Sequence, residues 1–227
     1  MARSVGGDGL RRRPTSRAGR PVLDPDRIAE AGLELLVTRG AGAVTMSAVA
    51  TSLEVTPRAV YHWVPSRRQL LVCIVERAQL FLPIPRDTGD WRGDLTTYRD
   101  EVLEWMRRYA GVTELMLAEH LSVVTEPVLT AQEAGLRILV NAGLSPSDAL
   151  FVLAELARWI GSAHQFLVAA GAPSLHGDVA RDTAHLMDER PQKYPLIAAA
   201  GNLDTGERLE RSFAWLLDSV ERAGAER

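Results

Sequence analysis

At 227 residues, with 46% hydrophobic side chains and a formal charge of −3, the chain has enough apolar surface for a sizeable core, in one large domain or two unequal ones. The single cysteine, Cys73, excludes an internal disulfide; it sits in the apolar run from Leu70 to Val75, without metal-type neighbours, and is expected as buried packing. No stretch approaches the ~18 apolar residues of a membrane span, and no apolar segment follows the N-terminal arginines as a secretory signal requires, so the expected address is cytoplasmic. The charge is uneven: residues 1–80 carry 12 arginines against 7 carboxylates, a net of +5, which leaves −8 on the remainder. A basic head on an acidic body is the distribution expected when only the head meets a polyanion.

Residues 1–22 are rich in Gly, Arg, Ser and Pro and poor in large apolar side chains, so they read as a disordered basic arm. The first helix is expected from Asp24-Pro25-Asp26, which supplies a cap, a first-turn proline and an acid at the positive end of the helix dipole. Ile28, Ala31, Gly32, Leu35 and Leu36 then share one face, and Gly40 and Gly42 end the helix. Three short helical signals follow between Val44 and Leu71. Thr45 caps a helix from Met46 to about Ser52, without a capping box because Ala48 stands where Glu or Gln is needed. Leu53-Glu54-Val55 is the turn, and Thr56-Pro57 opens a segment through Trp63 that is too short to stand without tertiary support. Ser66-Arg67-Arg68-Gln69 reads as a capping box starting a helix through Leu80, stopped by Pro83 and Pro85.

Beyond Asp87 the pattern is helical throughout, with breaks expected at Gly111, Glu126-Pro127, Asn141-Ala142-Gly143, Gly171-Ala172-Pro173 and from Pro191 to Asp204. Ser145-Pro146-Ser147-Asp148 starts a long helix reaching toward Ala170. Asp204-Thr205-Gly206-Glu207 is a second capping box, and Leu209, Phe213, Leu216, Leu217 and Val220 form an apolar stripe on the last helix. The expected fold is all-α: a three-helix domain at 23–70 with a helix-turn-helix, then a larger helical domain at 71–227 for ligand binding and dimerisation.

A helix, a tight three-residue turn and a second short helix inside a basic subdomain make the helix-turn-helix arrangement, whose second helix enters the major groove. The residues that fill it, Ala48-Val49-Ala50, Leu53-Glu54-Val55, Val60-Tyr61, Val64, Ser66-Arg67 and Leu70-Leu71, resemble the tetracycline-repressor-like (TetR) regulators. The resemblance is specific over Asp24 to Leu71 and architectural beyond. It implies that Arg58, Ala59 and His62 face the groove while Thr45, Thr56, Tyr61 and Arg67 mostly hold phosphates. Independently of the family, a first-turn guanidinium such as Arg58 can donate twice to a guanine edge, a contact worth about 1–3 kcal/mol of discrimination. Tyr61 can lay its ring on a sugar and its hydroxyl on a phosphate, and the arm arginines Arg11, Arg12, Arg13, Arg17 and Arg20 can add phosphate or minor-groove contacts. Two positions depart from the family pattern. Glu54 stands where a glycine usually supplies a left-handed backbone, at a cost of roughly 1–2 kcal/mol. His62-Trp63 places Trp where His is common.

One helix-turn-helix reads too few base pairs, so pairing across a palindromic operator is expected, with recognition helices about 34–36 Å apart. The long helix and the last helix are the candidates for a four-helix bundle burying Leu209, Phe213, Leu216 and Val220 between two copies, and the resemblance implies the same pair. Large rings with polar tips suggest an effector pocket, built from Trp105, Met106, Tyr109, Met116 and His120 in the middle of the chain and from Trp159, His164 and Phe166 on the long helix. His120 and His164 lack the His-x-x-x-His or carboxylate spacing of a metal site, so no metal is expected. The implied mechanism is release of a repressor from DNA by an unidentified small molecule that favours wrongly spaced heads, with the helix from Arg67 to Leu80 as lever. No nucleophile elbow, P-loop, dinucleotide-binding glycine pattern or metal motif occurs, so neither an enzyme nor a cofactor is expected. The alternative is a helical protein–protein adaptor that keeps the fold without binding DNA.

Overall fold

The structure is a computed structural model that describes residues 22–171, 192, 193, 195, 196 and 205–225. The basic arm expected at 1–22, apart from Val22, and most of the Pro191 to Asp204 region lie outside the described residues. Among the described residues there are nine α-helices and no strand: α1 Pro25–Arg39, α2 Met46–Ser52, α3 Pro57–Trp63, α4 Arg67–Gln79, α5 Trp91–Arg108, α6 Ala110–Ala118, α7 Glu126–Asn141, α8 Pro146–Gly171 and α9 Thr205–Ala225. None of them is long and apolar enough to cross a membrane.

The described residues fall into two compact units. The first runs to Ala78 and takes in Glu114–Val123; the second is Gln79–Thr113 with the residues from Val124 on. The boundary expected at 70 and 71 thus falls later, at the end of α4, because Leu70, Leu71, Ile74, Val75 and Ala78 are all fully buried and bind α4 into the first core. The C-terminal half of α6 also belongs to that unit, which the sequence pattern did not indicate.

In the first unit the capping signals act as read. Asp24 Oδ1 accepts from Arg27 N at 2.8 Å, Thr45 Oγ1 from Ala48 N at 3.1 Å, Thr56 Oγ1 from Ala59 N at 3.3 Å and Ser66 Oγ from Gln69 N at 3.1 Å. The box at Ser66 is only half made: the Gln69 amide reaches forward to Cys73 Sγ at 4.0 Å rather than back to the cap. Cys73 itself is half-buried, not the fully buried packing residue expected, and burial pushes its thiol up. Gly32 lets α1 and α4 approach closely, since a Cβ there would stand 2.5 Å from Ile74 Cδ1.

Three helix ends share one hydrogen-bond pattern, the paired reverse bonds of a Schellman motif. After α2, Val55 N donates to Ala50 O (2.9 Å) and Glu54 N to Thr51 O (3.1 Å); after α6, Leu121 N donates to Met116 O (2.9 Å) and His120 N to Leu117 O (3.4 Å); after α7, Leu144 N donates to Leu139 O (3.1 Å) and Gly143 N to Val140 O (3.0 Å). The residue in left-handed conformation is Gly143 in the third, but Glu54 (φ 55°) and His120 (φ 49°) in the others. The turn of the helix-turn-helix therefore keeps its left-handed geometry despite carrying a Cβ.

In the second unit α5, α7, α8 and α9 enclose a core of Leu95, Val102 and Met106, Ile138 and Leu139, Val152, Leu156 and Ile160, and Phe213, Leu217 and Val220. Each such side chain stabilises the fold by about 1.5–3 kcal/mol relative to leaving it exposed. Ser145 Oγ accepts from Asp148 N at 3.2 Å and so opens α8 as its sequence signal predicts. The break expected at Gly111 is displaced to Tyr109, which separates α5 from α6. The buried Arg99 guanidinium lies over the Phe213 ring at 4.3 Å and donates to Glu210 at 2.9 Å, tying α9 to α5. Arg92 adds bonds to Asp218 and, at 3.0 Å, to Glu221.

Candidate nucleic-acid interface and apolar cavity

The recognition segment is α3. Val60 and Val64 are buried, four residues apart on the inward face. That anchoring turns the opposite face outward: Arg58, Tyr61 and His62 are exposed, and Ala59 is half-buried at the edge. Tyr61 is 49% exposed and Trp63 44%, large apolar areas that no described residue covers. The His62 and Trp63 rings meet edge to face at 5.6 Å. Among the described residues Arg58 has no ion-pair or hydrogen-bond partner, so its five donors are free for an acceptor.

Thr45 and Thr56 are exposed at the N-termini of α2 and α3. Each hydroxyl oxygen accepts a backbone amide, which leaves its O–H to donate elsewhere, so capping and phosphate contact are chemically compatible. Arg67 is different. Its Nη1 donates to Glu119 Oε1 at 2.6 Å, and the neighbouring Arg68 Nη1 reaches the Glu119 carbonyl at 3.4 Å. The guanidinium expected on a phosphate is thus held by a carboxylate just beyond α6, a partner that no local pattern in the sequence could reveal.

The second unit contains a cavity of about 290 Å³. Tyr98, Val102 and Met106 line it from α5, Ala131 and Gln132 from α7, and Leu153, Ala154, Ala157 and Gly161 from α8. Of the eight residues expected around a ligand, only Met106 is there. Met116 and His120 belong to the first unit, His120 being exposed at the left-handed end of α6. Tyr109 is buried, stacked on Phe81 with ring centroids 6.1 Å apart and packed by Trp105 at 5.6 Å. Trp159 faces α9: its Nε1 donates to Ser212 Oγ at 2.8 Å and its ring lies 4.9 Å from Phe213. Phe166 is 47% exposed. His164 lines a separate open groove with Asp100, Leu103, Glu104 and Arg107, and burial holds its imidazole below the ordinary range. Tyr109 and Trp159 fill space, His120 and Phe166 face outward, and His164 borders a different groove. Among the described residues no group of three His, Cys, Asp or Glu is placed to hold a metal.

The stripe on α9 also finds its partner within the chain. Phe213 and Val220 are buried in the second unit's own core, so the expectation that they face another copy is corrected; Leu209 and Leu216 are half-buried. What α9 leaves uncovered is Trp215, 64% exposed.

An exposed recognition helix in a helix-turn-helix unit, with an apolar cavity in a second helical unit, defines a DNA-binding transcriptional regulator of the helix-turn-helix class. Two family models match: bacterial regulatory proteins of the tetR family over residues 28–73, and the tetracyclin repressor-like C-terminal domain over residues 82–222. The chain belongs to the TetR family. It is 27% identical over 213 residues to the tetracycline repressor protein class C of Escherichia coli, covering 88% of this chain and 91% of that one. It is 28% identical over 139 residues to the HTH-type transcriptional repressor DrrR1 of Streptomyces coeruleorubidus, covering 60% of this chain and only 50% of that relative. Among solved structures, ActR of Streptomyces coelicolor in complex with actinorhodin superposes with a TM-score of 0.75 at 18% identity, covering 89% of this chain and 99% of that one, a likeness of fold.

Proposed function

We propose that the chain is a repressor that pairs on a palindromic operator and is released when a small molecule fills the cavity among α5, α7 and α8. The observation that carries the DNA half is the outward face of α3, where an unpaired guanidinium, a phenol and an imidazole are presented together in a unit whose sequence also includes the net +5 of residues 1–21. Arg58 is assigned to a base edge, Ala59 and His62 to the groove, and Thr45, Thr56 and Tyr61 to the phosphates and sugars. Arg67 reaches a phosphate only after leaving Glu119. The named relatives are a tetracycline repressor and the HTH-type transcriptional repressor DrrR1, and the ActR structure holds actinorhodin, which supports release by a small molecule here too.

Pairing follows from the reach of one recognition helix. Its surface is assigned to the exposed sides of α8 and α9, on which Phe166 and Trp215 are each uncovered, instead of to the stripe that the monomer buries. The coupling runs through α6, whose first residues belong to the unit with the cavity and whose end, at Glu119, holds Arg67 in the unit with the recognition helix. Fluorescence anisotropy with genomic fragments, comparing wild type with Arg58→Ala and Tyr61→Ala, tests the DNA reading. Arg58→Ala is expected to lose about 1–3 kcal/mol of specific binding. Absence of any wild-type binding at low salt overturns the reading and leaves the adaptor.

A further inference from the structure

We infer that the effector is a small, uncharged, largely apolar molecule with a flat ring system and one polar end, on the scale of a two-ring phenol or ketone. The inference rests on reading the cavity of the second unit as the effector site, and it adds the chemical class that this chain's own wall selects.

Among the described residues the wall carries no carboxylate, guanidinium, ammonium or imidazole. The ionisable group among those lining residues is the Tyr98 phenol, which burial pushes up and so keeps neutral. An ionic ligand entering here gives up its hydration and meets no opposite charge, whereas an uncharged one gives up little. Two side chains can recognise a polar end: the Tyr98 hydroxyl and the Gln132 amide, neither of which has a hydrogen-bond partner among the described residues. Between them they offer donors and acceptors, which suits a hydroxyl or carbonyl.

Shape narrows the class further. Ala154, Ala157 and Gly161 follow one another at spacings of three and four on one face of α8, opposite Ala131 of α7. A Cβ placed on Gly161 meets no atom within 4 Å, so the strip opens onto empty space rather than onto a packed neighbour. Small residues in a row leave a smooth slot, which admits a planar ring more readily than a branched chain. At the packing density of protein interiors, about 0.75, a volume of about 290 Å³ accommodates roughly a dozen non-hydrogen atoms.

The experiment is isothermal titration of the full chain with β-naphthol and with β-naphthoate, which share a ring system and differ in charge at neutral pH. Wild type is compared with Gly161→Leu, which grows a side chain into the slot, and with Gly161→Ala as the folding control. β-Naphthol is expected to bind wild type about 100-fold more tightly than β-naphthoate, and Gly161→Leu to weaken it by about 50-fold or more without lowering the melting temperature. Equal affinities, no β-naphthol binding to folded wild type, or β-naphthol binding undiminished by Gly161→Leu overturns the inference. Tight β-naphthoate binding that depends on Arg107, in the separate groove lined by His164, overturns it as well. The effector reading has its own readout, release of operator DNA: β-naphthol seated in the cavity without weakening operator binding overturns that reading and leaves the ligand class standing. Release by β-naphthoate alone, abolished in Gly161→Leu, overturns the class and leaves the effector site standing.

Discussion

Glu54→Gly isolates the backbone strain stored in the helix-turn-helix. Glu54 is the left-handed residue of the Schellman motif that closes α2, with φ 55° and both reverse hydrogen bonds in place. A side chain in that conformation costs about 1–2 kcal/mol, because Cβ crowds the following carbonyl. Glycine removes the crowding but brings a freer unfolded chain, which offsets roughly 0.5–1 kcal/mol of the gain. The net expectation is stabilisation by about 0.5–1 kcal/mol, read as a rise of about 1–4 °C in the melting temperature for a chain of this size. Glu54→Ala is the decisive comparison. It removes the same carboxylate, and whatever that carboxylate touches, but keeps the Cβ. Calorimetric melting of wild type and both variants then separates backbone from charge, while operator affinity, where both variants lose one negative charge near DNA, should change equally. If Glu54→Ala stabilises as much as Glu54→Gly, the strain argument is refuted and the carboxylate itself is the unfavourable group.

Phe213→Ala should cost about 3–5 kcal/mol in urea denaturation, since it empties a core position beneath Arg99 and Trp159; Trp215→Glu should leave that stability within about 0.5 kcal/mol yet shift sedimentation toward monomer, and the reverse pattern would restore the dimer role to the buried stripe. Glu119→Gln should free Arg67 from its 2.6 Å partner and steepen the dependence of operator affinity on salt by about one unit of slope, measured by anisotropy across a salt series; an unchanged slope means that Arg67 meets no phosphate. Because burial holds His164 below its ordinary range, the unfolded chain binds that proton more tightly, so the contribution of His164 to stability is full above about pH 6.5 and falls away as the pH drops below it. Denaturation midpoints from neutral to mildly acid pH should decline less in His164→Gln than in wild type, with Asp100, Glu104 and Arg107 of the same groove present in both.

The DNA-binding head was legible because its signals are local. A cap, a first-turn proline and a buried Val at i and i+4 lie within a few residues of one another, so Thr56, Pro57, Val60 and Val64 specify both the existence of α3 and the face it shows. The left-handed turn was legible too, through the position of Glu54, although the sequence left open whether the turn would bend to suit the residue. The hydrogen bonds answer that the residue bends to suit the turn. Arg67 was only half legible: its exposure follows from its place before Leu70 and Leu71, but its engagement by Glu119 spans 52 residues and depends on where α6 ends.

In the second unit the helical pattern revealed which faces are buried and not what buries them. The period of Phe213, Leu217 and Val220 is the same whether the covering surface is a second copy or, as here, α5 and α8. The cavity was less legible still, because large rings consume volume, whereas open space forms where side chains are small. Yet small residues alone do not announce a cavity either. A Cβ on Gly32 would strike Ile74 at 2.5 Å and one on Gly135 would strike Leu153 at 2.9 Å, so both glycines serve close helix packing. Gly161 is as helical as they are and faces nothing within 4 Å. The difference lies in what the rest of the fold places across from each one, and that distant complement separates a packing glycine from one that borders open space.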